Sequence, residues 1–247
     1  MTESARRDVC VVIGAGEGLG GAIARAFARE GLAVCVTRRP RHVEALDTLA
    51  QRIRADGGDA HAFGLDARKE ADVAAFVETV ERTIGPIEVF VFNIGANVRF
   101  SVLETTTQVY TKVWEMACLA GFLTTREAAR VMAPRGRGAI LLTGATASVR
   151  GAAGFSAFAG AKHGLRALAQ SLARELGPKG IHVAHVVIDG AIDGEFIRGL
   201  MPDAAEKLKR EEILVPDEIA RNYVWLYRQK RSAWTFEMDL RPWAETW

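Results

Sequence analysis

The chain is short of the features that mark secreted, membrane or nucleic-acid-binding proteins. It has only three cysteines in 247 residues, Cys10, Cys35 and Cys118, odd in number and widely spaced, which excludes a disulfide framework as the basis of the fold. Cys10 and Cys35 fall in apolar, strand-like runs and read as buried free thiols. No apolar run is long enough to cross a bilayer, and Met1 to Asp8 carries no apolar signal segment, so a cytosolic protein is expected. Charge of one sign is also missing. The net charge is +2 and no basic run is interleaved with aromatics, which gives no argument for nucleic acid. No metal site is expected.

What is present is ordinary for a globular domain: 49% hydrophobic and 25% charged residues. The length fits one α/β domain spanning 1–247. Apolar strand-like runs alternate with helical patterns from end to end. Strands are expected at Val9–Ile13, Leu32–Thr37, Ala60–Leu65, Ile87–Phe92, Ala139–Thr143, Ile181–Ile188 and Trp234–Leu240. Helices are expected at Gly18–Glu30, Val43–Ala55, Glu70–Thr83, Gln108–Met132, Phe155–Leu176 and Pro216–Gln229. The first strand does not alternate, as expected of a parallel strand buried on both faces. Strict alternation with short connections implies a parallel sheet of about seven strands wound on both faces, with right-handed crossovers. The stretch 193–214 is polar and weakly periodic, either a flap over a site or a surface helix pair.

Gly14-Ala15-Gly16-Glu17-Gly18-Leu19-Gly20 follows the first strand and opens the first helix. Glycines there permit a tight turn and let a pyrophosphate approach free N–H groups at the helix N-terminus. The spacing Gly14-x-x-x-Gly18-x-Gly20 resembles that of the short-chain dehydrogenase/reductase family, and from this turn the resemblance runs over nearly the whole chain. It implies a Rossmann-type fold and a nicotinamide dinucleotide ligand. Asp66, followed by Ala67, resembles the family's aspartate near the adenine; a helix N-cap is the other reading of that residue. Asn93-Ile94-Gly95 resembles the end of the Asn-Asn-Ala-Gly motif, with Phe92 at the first asparagine. Ile192, after the sixth strand, is a further expected cofactor contact by this resemblance.

The same resemblance bears on which dinucleotide binds. NAD-binding members carry an acid at the place of Arg38. In Thr37-Arg38-Arg39 an arginine stands there instead, which favours the 2′-phosphate of NADP(H) through a charge-assisted fork. Glu17 argues the other way, since NADP-binding relatives often have a base at its place.

The family's catalytic tetrad is Asn, Ser, Tyr and Lys. In Phe158-Ala159-Gly160-Ala161-Lys162 the lysine is kept and the tyrosine is a phenylalanine, which has no acidic proton to give. Lys162 is one helical turn after Phe158, so the two share a face, and it is expected to hold the ribose. The serine falls on Ala145 and the asparagine on Cys118, ahead of Leu119-Ala120-Gly121. The family's Pro-Gly becomes Asp189-Gly190, and its C-terminal Gly-Gly is replaced by Arg241-Pro242-Trp243. Thr143, Thr146, Ser148, Ser156 and His163 lie close in sequence, but none is placed to stand in. Two function classes follow. One is an NADP(H)-dependent oxidoreductase acting on a carbonyl, an alcohol or an activated double bond. The other is an inactive NADP(H)-binding redox sensor or partner subunit. In the family, helices corresponding to 108–132 and 155–176 pair across a two-fold, so a homodimer or homotetramer is expected. Trp234, Trp243 and Trp247 suggest an interface or a pocket cover, or packing on their own subunit.

Overall fold

A computed structural model describes residues 7–245; Trp247 and the first six residues of the opening segment lie outside the described residues. The strands are β1 (Val9–Ile13), β2 (Ala33–Arg38), β3 (Asp59–Gly64), β4 (Ile87–Phe92), β5 (Gly138–Thr143), β6 (Ile181–Ile188) and β7 (Glu237–Leu240). They form one sheet in the order β3-β2-β1-β4-β5-β6-β7, with every pair parallel. The helices are α1 (Leu19–Arg29), α2 (Val43–Ala55), α3 (Glu70–Thr83), α4 (Thr107–Trp114), α5 (Ala120–Met132), α6 (Ser156–Leu176), α7 (Glu195–Leu200), α8 (Ala204–Lys209) and α9 (Pro216–Arg228).

Side-chain alternation divides the core into two layers. Cys10, Val12, Val34, Val36, Val89 and Val91 face α1, α2 and α9 through Phe27, Leu49 and Tyr223. Val9, Val11, Ile13, Phe90, Phe92 and Ile140 face α3, α5 and α6 through Val77, Met132 and Leu165. A strand buried on both sides needs apolar residues at consecutive positions, so β1 reads as an unbroken run, while β4 is interrupted at Glu88 and β6 at His182 and His185. The chain order reverses between β1 and β4. The crevice beyond their carboxyl ends is where such sheets take ligands, and Gly14 and Asn93 stand at its two sides.

Three expectations need correction. The helix expected over 108–132 is two helices, α4 and α5, joined by a π-helical turn at Glu115–Leu119. The last strand begins at Glu237, not Trp234. Trp234 instead stacks on His182 with ring centroids 4.9 Å apart and gives its indole N–H to Gln229 O, so it packs on its own subunit. Asp66 is not a helix N-cap, since α3 is preceded by Lys69 at that position. The stretch 193–214 holds the short helices α7 and α8, and its ends are tied by a parallel bridge between Ile192 and Leu214.

Candidate active site

The glycine turn is fixed by close backbone packing. Gly14 has φ +90°, in the region that favours glycine, and its N–H and that of Ala15 both donate to Thr37 O. A Cβ on Gly20 would lie 2.5 Å from Gly14 O, so nothing larger fits there. Asn93 closes the turn from the far side, its Nδ2 donating to Gly14 O at 3.1 Å. Gly18 precedes α1 with no side-chain cap, which leaves the first N–H groups of the helix available to an anion.

A cleft of about 240 Å³ opens beside this turn. Its lining brings together Gly14, Arg38, Arg39, Asp66, Ala67, Asn93 and Gly95. Leu19 and Ala67 are themselves buried. The Arg38 guanidinium lies over the turn, with Nη1 3.5 Å from where a Cβ on Gly16 would be. The Glu17 carboxylate is paired with Arg52 on α2 at 2.8 Å, both side chains being exposed. Asp66 accepts two guanidinium N–H groups and the backbone N–H of Arg68, which holds its carboxyl below the usual range. Arg39 is held below its ordinary value by burial, then by Arg41, Arg68 and Arg38 around it. Crowded cations of this kind are relieved by a bound anion.

Further along the carboxyl edge, α6 presents Lys162. The residue is 2% exposed, and its ammonium donates to Ile94 O at 3.0 Å and Thr143 O at 2.9 Å. Burial drives its pKa down to about 7. The ring of Phe158 is centred 6.0 Å from Nζ, so the two do share a face. Phe158 is buried in a cluster with Val113, Ala117 and Ala147, against which Ala145 and Cys118 also pack. The three positions that the resemblance assigns to the family's polar groups are thus joined in one apolar patch. Cys118 sits in the π turn with Sγ 2.8 Å from where a Cβ on Gly164 would be, so the thiol is directed at α6, and burial raises its pKa.

The neighbouring hydroxyls are committed elsewhere. Thr143 pairs with Tyr223 at 2.7 Å on the opposite face of the sheet. Ser148 accepts the N–H of Ala145, and Ser156 is exposed. His163 Nδ1 lies 2.9 Å from Ala159 O. Thr146 gives its proton to Asp189 at 2.6 Å. Sequence reasoning named Asp189 at the family's Pro-Gly but missed its bonding; it is buried and also meets Arg150 and Arg241. It missed His185 too. That ring lies under α6, bonded through Nδ1 to Glu237, which Arg166 grips with two N–H groups. The available signal was a histidine interrupting the apolar series Ile181, Val183, Val187. Ile192 lies away from the adenosine cleft, in the bridge at the end of β6.

Comparison with known proteins agrees with this fold. The family model described as short chain dehydrogenase matches residues 8–203, and the chain belongs to that family of nicotinamide-dinucleotide-dependent oxidoreductases. An uncharacterised oxidoreductase of Bacillus subtilis (strain 168) is 32% identical over 202 residues, 81% of this chain and 77% of the relative. A crystal structure of a short-chain dehydrogenase from Rhodopseudomonas palustris is 49% identical, with TM-score 0.82, covering 96% of this chain and all of that one (100%). A metagenomic short-chain oxidoreductase solved in complex with NADP is 26% identical, with TM-score 0.78, covering 95% of this chain and 96% of that one. Among the described residues no helix is long and apolar enough to cross a membrane.

Proposed function

We propose that this chain is an NADP(H)-binding oxidoreductase whose substrate needs little acid catalysis from the protein, such as an activated double bond. The observation that carries the cofactor reading is Arg38 laid over the glycine turn while Glu17 is paired with Arg52. Gly14, Gly16, Gly18, Leu19 and Gly20 would hold the pyrophosphate side. Asp66, Ala67, Asn93 and Gly95 would hold the adenosine side, Arg38 and Arg39 the 2′-phosphate, and Lys162 the ribose near the nicotinamide. Ile192 would meet the nicotinamide end. A bound nicotinamide would supply hydride to an acceptor carbon; the protein's part is to bind, orient and exclude water. Titration with NADPH and NADH by nucleotide fluorescence tests this. Arg38→Ala should weaken NADPH by roughly ten- to a hundredfold, the value of a charged hydrogen-bonded pair, and leave NADH unchanged. Equal losses for both nucleotides would refute the 2′-phosphate role.

The apolar patch formed by Phe158, Ala145 and Cys118 supports a second reading, a nucleotide-binding protein without turnover that senses redox state or pairs with an active relative. A broad carbonyl and enone panel separates the two. NADPH oxidation that disappears in Lys162→Ala favours the enzyme, and none with any substrate favours the sensor.

Self-association through α4, α5 and α6 belongs to the same proposal, giving a homodimer or homotetramer. Tyr110, Trp114 and Phe122 on this face are each more than 40% exposed, which is costly for rings left in water. Light scattering on Trp114→Glu with Phe122→Glu should report a smaller particle than wild type.

A further inference from the structure

The residues Arg241-Pro242-Trp243 replace the small C-terminal residues of typical relatives, and the structure gives each of them a partner near the candidate site. The Asp189 backbone N–H donates to Leu240 O at 2.8 Å, which sets the end of β6 against the end of β7. Arg241 reaches back from there to the Asp189 carboxylate at 3.1 Å, and Asp239 holds the same guanidinium at 2.6 Å. On its other oxygen Asp189 accepts the hydroxyl of Thr146, the residue next to Ala145. Pro242 lies against Gly190 so closely that a Cβ there would be 2.7 Å from Pro242 Cδ. Trp243 then donates its indole N–H to Arg210 O, just beyond α8.

The segment that these three residues reach is otherwise lightly held. Its two ends meet through Leu214 N–H to Ala191 O and Asp193 N–H to Leu214 O, both 2.8 Å. Between those ends, α7 has no buried residue and α8 buries only Ala204. Phe196 and Leu200 are each 62% exposed. An element with so little buried surface opens at low cost unless something else fastens it. Trp243 is 75% exposed, so its indole adds little burial at its own site.

The geometry points to a C-terminal strap: Arg241, Pro242 and Trp243 fasten the segment 193–214 down beside Ala145 and Thr146, and gate access to the nicotinamide end of the site. Arg241 and Trp243 are positioning residues, acting through Asp189 and Arg210. The gating half of this inference rests on the NADP(H) reading, whereas the fastening half does not.

The test is amide hydrogen exchange on the full-length protein without nucleotide, in wild type, Trp243→Ala and Arg241→Gln. Trp243→Ala removes an exposed side chain and leaves the core intact. Exchange over α7 and α8 should quicken by about fivefold or more in both variants, as expected when a local closing contact is lost, while β4 and β5 keep their wild-type rates. Tryptic nicking after Lys207, Lys209 and Arg210 should quicken in parallel. Unchanged exchange over 193–214 in both variants overturns the strap. So does acceleration spread evenly over β4 and β5, which would make these residues general stabilisers. With NADPH added, nucleotide release should be several-fold faster from Trp243→Ala, and equal release rates overturn the gating role. A wild-type protein that binds neither nucleotide defeats the NADP(H) reading, and gating with it, while the exchange result still decides the fastening.

Discussion

At the scale of single residues, we read the site as a reductase site with chemistry removed rather than geometry disturbed. Lys162 and Phe158 keep the spacing and the shared face that a Tyr–Lys pair would have, and Ala145 and Cys118 pack against the same patch. Restoring the hydroxyls should therefore restore function, if the pocket above them admits a carbonyl. Ala145→Ser with Phe158→Tyr is expected to raise ketone or aldehyde reduction by about 10²–10⁴-fold over wild type, the usual contribution of a positioned general acid. Initial rates of NADPH oxidation with a carbonyl panel measure it. A double variant that binds NADPH and stays inert would place the change in the pocket walls instead. That Phe158 has no acidic proton was legible in the sequence as a matter of residue identity, and its assignment to the family's tyrosine position rests on the resemblance. The fate of the remaining hydroxyls was not legible. Thr146 and Asp189 are 43 positions apart, as Glu17 and Arg52 are 35 apart, and no local pattern announces either pair.

At the scale of elements, the strands and the glycine turn were readable for a shared reason: each is a local demand. Burial on both faces requires the unbroken run of β1 and the largely apolar runs of β4 and β6, and a backbone that folds back on itself requires Gly14 and Gly20. The Gly20 position carries the sharper consequence. A methyl group there meets backbone on two sides, at Gly14 O and Ala15 Cα, neither of which is a side chain that can rotate away. Gly20→Ala should cost about 1–3 kcal/mol, the usual range for overpacking a tight site, and should also spread the turn that receives the phosphate. The expected outcome is a lower melting temperature together with loss of NADPH fluorescence enhancement. Unaltered nucleotide binding at full occupancy would show that the turn tolerates a shift. Elements set by tertiary contact were harder to read. The π turn at Glu115–Leu119 has helical backbone on both sides, at Trp114 and Ala120, and no proline or glycine marks it, so the sequence reads through it as one helix. The β7 start was misplaced because Trp234 belongs to a stack on His182, and a ring stack has no strand-like or helix-like period.

At the scale of the whole molecule, several buried ionisable groups act together and give a definite pH profile. Burial drives His185 down to about 4, despite the opposing pull of Glu237, whose charge Arg166 already offsets. Between about 4 and the ordinary histidine value of 6.5, the unfolded chain binds a proton that the fold refuses, so stability falls as pH falls through that window. Glu237, held below its ordinary value chiefly by Arg166, acts in the same direction, since its bonds are lost on protonation. Lys162 repeats the effect higher up. With its folded value near 7 and an ordinary value of 10.5, the unfolded chain again binds more protons between them, so stability rises across that interval. Cys10, Cys35 and Tyr223 oppose it from above. Burial raises all three, so above about pH 9, the ordinary thiol value, the unfolded chain releases protons that the fold keeps, and stability falls. The opposing slopes predict a maximum near pH 8–9 rather than at neutrality, measurable as urea midpoints in a series of buffers. Lys162→Met isolates one contribution. It should flatten the rise between pH 7 and 9 and leave the acid limb, which belongs to His185 and Glu237, unchanged. A variant that keeps the wild-type slope in that interval would mean that Lys162 stays charged in the fold, its ammonium held by the Ile94 and Thr143 carbonyls strongly enough to offset its burial.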